Sequence, residues 1–492
     1  MTRTSPAVAT TLALVAGLSL SAFAGTGSTV SFAAPTSFML SDDGPRDAVV
    51  VDVDEDGHLD VAYTMSGAAG GHSSLYIVRG DGSGIFDDDA EITVTAPQAV
   101  TTGDFNEDGH VDFAVLGRQY SGAIKVQIIL GDGTGGLSYG ATFTPFSASS
   151  FPQDTVAGDF NEDGHLDLAF SGTSILVTYL GTGDGGFVAD QSHALSAGRQ
   201  IMVGDLNLDG HTDLLTGSKT LLGAGDGSFS ELSAPNANVA ALGDMNEDGI
   251  PDLIGATSLL LHYEGNGDGT FTLTGTTPLG AFANAIQLAD IDADGHLDVV
   301  TLLNNLSFSV TLGLGDGTVC PPQPNPITFF PNSVLTVADL SEDGLPDVII
   351  PLTATDESWT RALVNTTTTS PWTDLGFGLA GAAGTPALEG TGSLQAGSSG
   401  SLDLSAAAPS TTAVLFTSVA STPTPFKGGT LVTIPIAALF ALATGAAGDI
   451  PLPFVWPAGI PAGSELYFQY GIADPGAVVG VALSNGVRAV TP

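Results

Sequence analysis

From residue 25 to about 370, apolar and polar side chains alternate in short runs, and no stretch repeats its apolar positions at helical spacing. Runs such as Leu75-Tyr-Ile-Val, Lys125-Val-Gln-Ile-Ile-Leu and Ile175-Leu-Val-Thr-Tyr-Leu are rich in β-branched and aromatic residues, which predicts strands. Two marks punctuate these runs. The first is a nine-residue acidic segment that recurs seven times, starting at Asp52, Asp104, Asp159, Asp205, Asp244, Asp290 and Asp339, at intervals of 52, 55, 46, 39, 46 and 49 residues. The second is a Gly-Asp-Gly tripeptide at 80–82, 131–133, 183–185, 225–227, 267–269 and 315–317. Asp-Gly between apolar runs signals a hairpin, because glycine accepts the positive φ of a tight turn. Each unit reads strand, acidic loop, strand, turn, strand, glycine turn, outer strand.

A period of this length fits one four-stranded propeller blade. Seven units predict an all-β chain with a seven-bladed β-propeller over residues 25–375. The seventh unit stops at Arg361-Ala-Leu-Val-Asn365 without a glycine turn, while Ser28-Thr-Val-Ser-Phe32-Ala-Ala-Pro35 resembles the outer-strand segment Phe229-Ser-Glu-Leu-Ser-Ala-Pro235. The N-terminal segment is therefore expected to supply the last strand and clasp the ring shut. Residues 376–492 hold only five acids and two bases, against 48 and seven in 25–375. They read as a linker at 376–400 and a small C-terminal β-sandwich-like domain at 401–492, with strands near Thr412–Val419, Thr430–Ile434, Glu465–Tyr470 and Val478–Leu483.

In each acidic segment, positions 1, 3, 5 and 9 carry oxygen side chains and position 6 is glycine. Hard cations need clustered oxygens, and a glycine lets a short loop aim several of them inward. The candidate ligands are Asp52, Asp54, Asp56, His58 and Asp60; Asp104, Asn106, Asp108, His110 and Asp112; Asp159, Asn161, Asp163, His165 and Asp167; and Asp205, Asn207, Asp209, His211 and Asp213. The remaining loops offer Asp244, Asn246, Asp248, Ile250 and Asp252; Asp290, Asp292, Asp294, His296 and Asp298; and Asp339, Ser341, Asp343, Leu345 and Asp347. Position 7 varies in chemistry, so only its backbone carbonyl is expected to coordinate, with the five histidines pointing to solvent. Position 2 is always apolar (Val53, Phe105, Phe160, Leu206, Met245, Ile291, Leu340) and should face the core. An EF-hand needs an acid at position 12, where this chain has Tyr63, Val115, Phe170, Thr216, Gly255, Thr301 and Ile350. Calcium between strands, up to seven ions with one per blade, is the reading that remains. Asp at position 3 in loops one and six adds a formal charge and predicts tighter binding there.

Composition supports a need for counter-charge: 53 acids against 10 bases give −43, and 28 of the acids lie in the seven loops. Such a chain is repelled by nucleic acid and anionic membranes. Residues 1–24 read as a secretory signal peptide, with Arg3, an apolar stretch Ala7 to Leu20 and the cleavage triplet Ala22-Phe23-Ala24. The expected location is extracellular or at the cell surface, without an integral membrane span.

D-x-[DN]-x-D-G-x-x-D followed by an apolar strand and a glycine turn resembles the FG-GAP/VCBS repeat family, whose relatives include integrin α-subunit propellers. The resemblance covers about residues 28–370 and implies calcium sites on one propeller face and a role in adhesion or extracellular recognition. Ser341, and Leu137 and Val319 after the glycine turns, depart from the family pattern. Other motifs carry less. Arg79-Gly80-Asp81 occupies a glycine turn where Leu130, Leu180 and Leu312 align with Arg79, and Gly136-Leu-Ser138-Tyr-Gly140 lacks the strand-turn-helix context of a nucleophile elbow. Asp87-Asp88-Asp89 reads as a solvated edge, Asn305 and Asn365 head glycosylation sequons, and Cys320 is a lone cysteine, which excludes a disulfide framework. No catalytic constellation stands out. The expected function is a non-catalytic recognition module for an extracellular protein or polysaccharide; a calcium-dependent polysaccharide lyase or phosphodiesterase and a structural envelope or matrix protein are the alternatives.

Overall fold

The computed structural model describes residues 30–491 except 41–43, 67–72, 120, 148, 196–199, 236–238, 328–332, 354–357, 368–371, 383, 392–393, 395–396, 428, 434, 458–459, 461–463 and 478–479. The leader expected at 1–24 lies outside the described residues. The described elements are all strands, and none of the described residues forms a helix long and apolar enough to cross a membrane.

Each acidic segment leads into the second strand of a four-stranded antiparallel sheet. The first sheet joins Pro45–Val51, Asp60–Ser66, Ser73–Gly80 and Phe86–Thr93 in sequence order. Five more sheets, over 97–143, 152–194, 201–233, 240–278 and 283–326, repeat that order. The seventh joins Thr336–Ala338, Asp347–Thr353 and Ser358–Leu363 to the N-terminal strand Thr36–Met39. The first strand of each sheet touches the first strand of the next, and Thr336–Ala338 touches Pro45–Val51, which closes the ring as a propeller.

The sheets pack through apolar side chains of their middle strands. Asp167–Gly172 is buried along its whole length. Between the seventh and first sheets, Leu40, Val61, Tyr63, Leu340, Ile349 and Ala362 share one cluster, and the Tyr63 and Thr360 hydroxyls hydrogen-bond inside it. Antiparallel order puts the acidic loops and glycine turns on one face of the ring, and the second-to-third-strand turns and inter-sheet connections on the other.

The N-terminal segment forms the clasp, with its regular ladder just beyond the segment that resembles 229–235. Phe32 bridges Asn365 just as Phe229 pairs with Gly223. Pro35 has no amide to donate. The regular ladder therefore lies beyond it, from Thr36 opposite Ala362 to Met39 opposite Trp359, while Ala33 and Ser31 bond Val364 and Thr366 at 2.8 Å each.

In the C-terminal region, a sheet ordered Trp372–Gly376, Gly486–Val490, Glu465–Ala473, Thr412–Ser418, Ala438–Ala443 faces a three-stranded sheet of Ala387–Thr391, Ser399–Ser405 and Ile450–Val455. Leu402 and Leu404 from the smaller sheet share a core with Leu415, Tyr470 and Ile472 from the larger, a β-sandwich arrangement. The span 376–400 is therefore not simply a linker, because Ala387–Thr391 is built into the sandwich.

Candidate metal centre on the acidic loop face

All seven acidic segments share one backbone. Position 4 adopts φ of 52–60° although it is never glycine, and the position 6 glycine adopts 86–95°. A left-handed non-glycine residue persists only where surrounding bonds over-determine it, and the loop wiring does so. The position 1 carboxylate accepts the glycine amide at 2.8–3.0 Å in every loop. The position 5 carboxylate accepts the position 7 amide at 2.9–3.0 Å. Position 2 is at most 3% exposed in all seven, as its apolar identity required.

The position 9 aspartates are at most 4% exposed, and each uses both oxygens. One accepts the position 2 amide at 2.8–3.0 Å. The other accepts the amide of a residue at or two positions past the end of the third strand, at 2.7–3.0 Å: Gly80, Gly131, Gly181, Gly223, Gly265, Gly313 or, in the seventh sheet, Asn365. These aspartates lock the acidic loop to the neighbouring turn, a scaffold role that counting ligands did not reveal.

The glycine turns also align differently from the Gly-Asp-Gly reading. Gly80, Gly82 and Gly84 correspond to Gly181, Gly183 and Gly185, so the repeated element is three alternate glycines and the aspartate moves between them. At the first of these glycines a side chain has no room: a Cβ on Gly181 would stand 2.2 Å from the Leu166 carbonyl oxygen.

Carboxylates converge most where position 3 is aspartate. Oxygens of Asp52, Asp54 and Asp60, and those of Asp290, Asp292 and Asp294, lie within 4.8 Å of one another. In loops two to five the position 3 asparagine instead donates to the position 5 aspartate at 2.8–3.0 Å. Asp52 Oδ1 and Asp54 Oδ1 are buried without a hydrogen-bond partner, the donor set a hard cation satisfies. Burial, with neighbouring aspartates adding, pushes Asp60 up to about 6, Asp294 to about 6 and Asp298 to about 8. Positive charge is what these side chains lack.

Five matches to the model of the FG-GAP-like repeat, at residues 52–115, 104–170, 159–216, 244–301 and 290–350, together span more than half of the chain and start on acidic loops. The chain belongs to the FG-GAP-like repeat family. Among solved structures it is similar to BBS1N in crystals of its complex with ARL6DN, soaked with mercury or with lead, at 10% identity and TM-score 0.48 over 70% of this chain and 99% of that one. It is similar also to a chain of the S. cerevisiae core factor, at 9% identity and TM-score 0.46 over 70% and 62% of the two chains. No curated protein matches the sequence.

Within this FG-GAP-like ring, loop one differs from loop six. The Arg79 guanidinium lies 3.4 Å from Asp54 and offsets the extra charge at position 3, so the expectation of tighter binding now rests on loop six alone. The Arg79-Gly80-Asp81 tripeptide is committed to its turn: Asp81 accepts the Ser83 amide at 2.9 Å and its hydroxyl at 2.6 Å. Asn365 is fully buried and donates to the Ile291 carbonyl at 2.7 Å, so its sequon is closed to a glycan. Ser138 sits in the strand Leu137–Phe143, not in an elbow. Cys320 packs beside loop six, where burial and then Asp298, Asp292 and Asp294 push its thiol up.

The position 7 histidines are not simply solvated. Each is 25–37% exposed and meets the position 4 glutamate of the preceding loop: His110–Glu55 at 2.7 Å, His58–Glu342 and His211–Glu162 at 2.5 Å, with His165–Glu107 and His296–Glu247 paired alike. The hydrogen bond to glutamate is the first cause that raises His58, His110, His165 and His211.

A second acidic feature lies at the opposite end of the inner strands. Asp47 accepts the amides of Ala48 and Val100 at 2.9 Å each, and Asp154 those of Thr155 at 2.8 Å and Ile201 at 2.7 Å, tying first sheet to second and third to fourth. Desolvation raises them to about 6 and about 7, and the charge of Asp47 adds to Asp154. A folded pKa above the unfolded 3.8 means that the native state holds the extra proton, so this contribution is present at acid pH and lost as pH rises through the folded values. The fall in Tm between about pH 5 and about pH 7.5 is expected to be smaller in Asp154→Asn than in the parent, read by thermal melts at fixed calcium.

Proposed function

We propose that this protein is a secreted, calcium-loaded propeller that recognises an extracellular protein or polysaccharide without catalysing a reaction on it. The observation that carries this reading is the shared wiring of seven acidic loops on one face, with three carboxylates brought together in loops one and six and Asp52 Oδ1 and Asp54 Oδ1 of loop one buried without partners. Bound Ca²⁺ would supply the missing positive charge. Positions 1, 3 and 5 of each loop would hold it, joined in loop one by Asp60, while the position 9 aspartates also keep the loops in shape.

That assignment leaves the other face for recognition. Phe151 and Phe282 immediately precede inner strands there and are 51% and 62% exposed, with the Arg118 guanidinium stacked 3.9 Å from the Phe151 ring. Exposed aromatics beside a cation suit sugar or peptide binding. Several basic groups that a lyase or phosphodiesterase would need are committed elsewhere: Lys219 and His193 both bond Glu231, and Arg79 pairs with Asp54. Screening on immobilised polysaccharides and extracellular proteins, with and without chelator, tests the reading. A calcium-dependent binder should lose more than about tenfold in affinity in Phe151→Ser/Phe282→Ser with unchanged melting. Turnover of a polyuronide or phosphodiester would replace this reading with the enzymatic one.

A further inference from the structure

The belt of histidine–glutamate pairs is not continuous, and its interruptions are matched on both sides. Where position 7 is Ile250 in place of histidine, position 4 of the preceding loop is Leu208 in place of glutamate; where position 7 is Leu345, the preceding position 4 is Ala293. The Leu208–Ile250 joint occupies the same place as the ionic ones. A Cβ on Gly267 would meet Ile250 Cδ1 at 3.4 Å and Leu208 Cδ1 at 3.7 Å, while on the equivalent Gly133 it would meet His110 at 2.3 Å and Glu55 at 2.9 Å. Both members of each joint change chemistry together, which a decorative surface pair has no reason to do.

Each joint also reaches into the ligand positions. Position 4 stands between positions 3 and 5 with its backbone held at φ of 52–60°. Position 7 follows the loop glycine, and its amide is bonded to the position 5 aspartate at 2.9–3.0 Å. A shift of carboxylates in one loop would therefore be felt at its glutamate, which meets the next loop, and at its histidine, which meets the previous one.

We infer that these joints divide the seven loops into two cooperative groups for divalent cations. One group runs through loops seven, one, two, three and four by way of Glu342–His58, Glu55–His110, Glu107–His165 and Glu162–His211; the other is the pair of loops five and six, joined by Glu247–His296. Loops four and five come together at the apolar Leu208 and Ile250, and loops six and seven carry the apolar Ala293 and Leu345 at the same positions; neither pair can make a directed hydrogen bond. Each group contains one of the two loops in which three carboxylates converge, loop one and loop six.

The inference rests on the calcium reading above, and one titration separates the two. Chelator-stripped full-length protein is titrated with Ca²⁺ by calorimetry. Two binding phases are expected, the larger with a Hill coefficient above one, each ionic joint raising its neighbour's affinity about fivefold or more. Glu55→Leu/His110→Leu, which converts an ionic joint to the apolar kind, should lower the cooperativity of the larger phase at unchanged total stoichiometry. Leu208→Glu/Ile250→His should merge the two phases into one. Saturable binding to independent sites, or isotherms that neither double variant alters, would overturn the grouping while leaving calcium binding intact. Absence of any binding heat would overturn the calcium reading and the grouping together.

Discussion

A chain shortened to begin at residue 44 is expected to lose its cooperative unfolding transition and to self-associate. The segment removed supplies the outer strand of the seventh sheet, Thr36–Met39, paired residue by residue with Ala362 to Trp359. It also buries Val30 and Leu40 to 7% and 3% exposure and sets Phe32 edge-on to Phe308 at 5.2 Å. Three to four apolar side chains at about 1.5–3 kcal/mol each amount to much of the ~5–15 kcal/mol that holds a typical domain. The Thr36 hydroxyl further reaches the Gly84 carbonyl at 2.8 Å in the first sheet, so both sides of the closure are lost. What remains is an open edge at 358–363, a template for pairing with another chain. Differential scanning calorimetry and light scattering of the truncated chain check this; a melt like that of the parent would mean that the ring closes without its clasp.

Asp167→Ala should be the most costly single change in the loop face. Asp167 is fully buried, and its two oxygens take the amides of Phe160 and Gly181 at 2.8 Å each. Alanine leaves two buried donors without acceptors, at about 1–3 kcal/mol apiece beyond the bonds themselves, so about 3–5 kcal/mol in all. Asp167→Asn keeps one carbonyl oxygen and should cost roughly half as much. Because the cost arises from orphaned amides, it should persist in saturating calcium. Denaturant unfolding with calcium present measures it; full rescue by calcium would assign Asp167 to the ion and not to the scaffold.

The ring was legible because its marks are local. An acidic nonapeptide with an apolar second position and a glycine at the sixth forces one loop geometry wherever it occurs, and all seven copies fold alike. Registers set between distant segments were harder to read. The N-terminal segment was readable as the last strand but its pairing was not: Phe32 bridges Asn365 and lies edge-on to Phe308, and the regular ladder starts only after Pro35. The aspartate in the glycine turn drew attention from the glycines themselves, whose spacing is constant because the first lies against a backbone carbonyl and the next two need positive φ. The belt did leave a trace in the sequence: reading position 7 of each loop against position 4 of the one before pairs histidine with glutamate five times and an apolar residue with an apolar residue twice. Within 376–400, alanine- and glycine-rich composition describes Ala387–Thr391 as well as it describes a tether, and only pairing with Ser399–Ser405 separates them.

Calcium titration of the chelator-stripped full chain, with thermal melting in parallel, tests most directly whether cations on the acidic loops hold the ring together. Saturable binding at several sites and a large rise in Tm are expected, since each occupied site adds about 2.7 kcal/mol at a hundredfold excess over its Kd. Identical melting in calcium and in excess EDTA, with no heat of binding, would contradict the account.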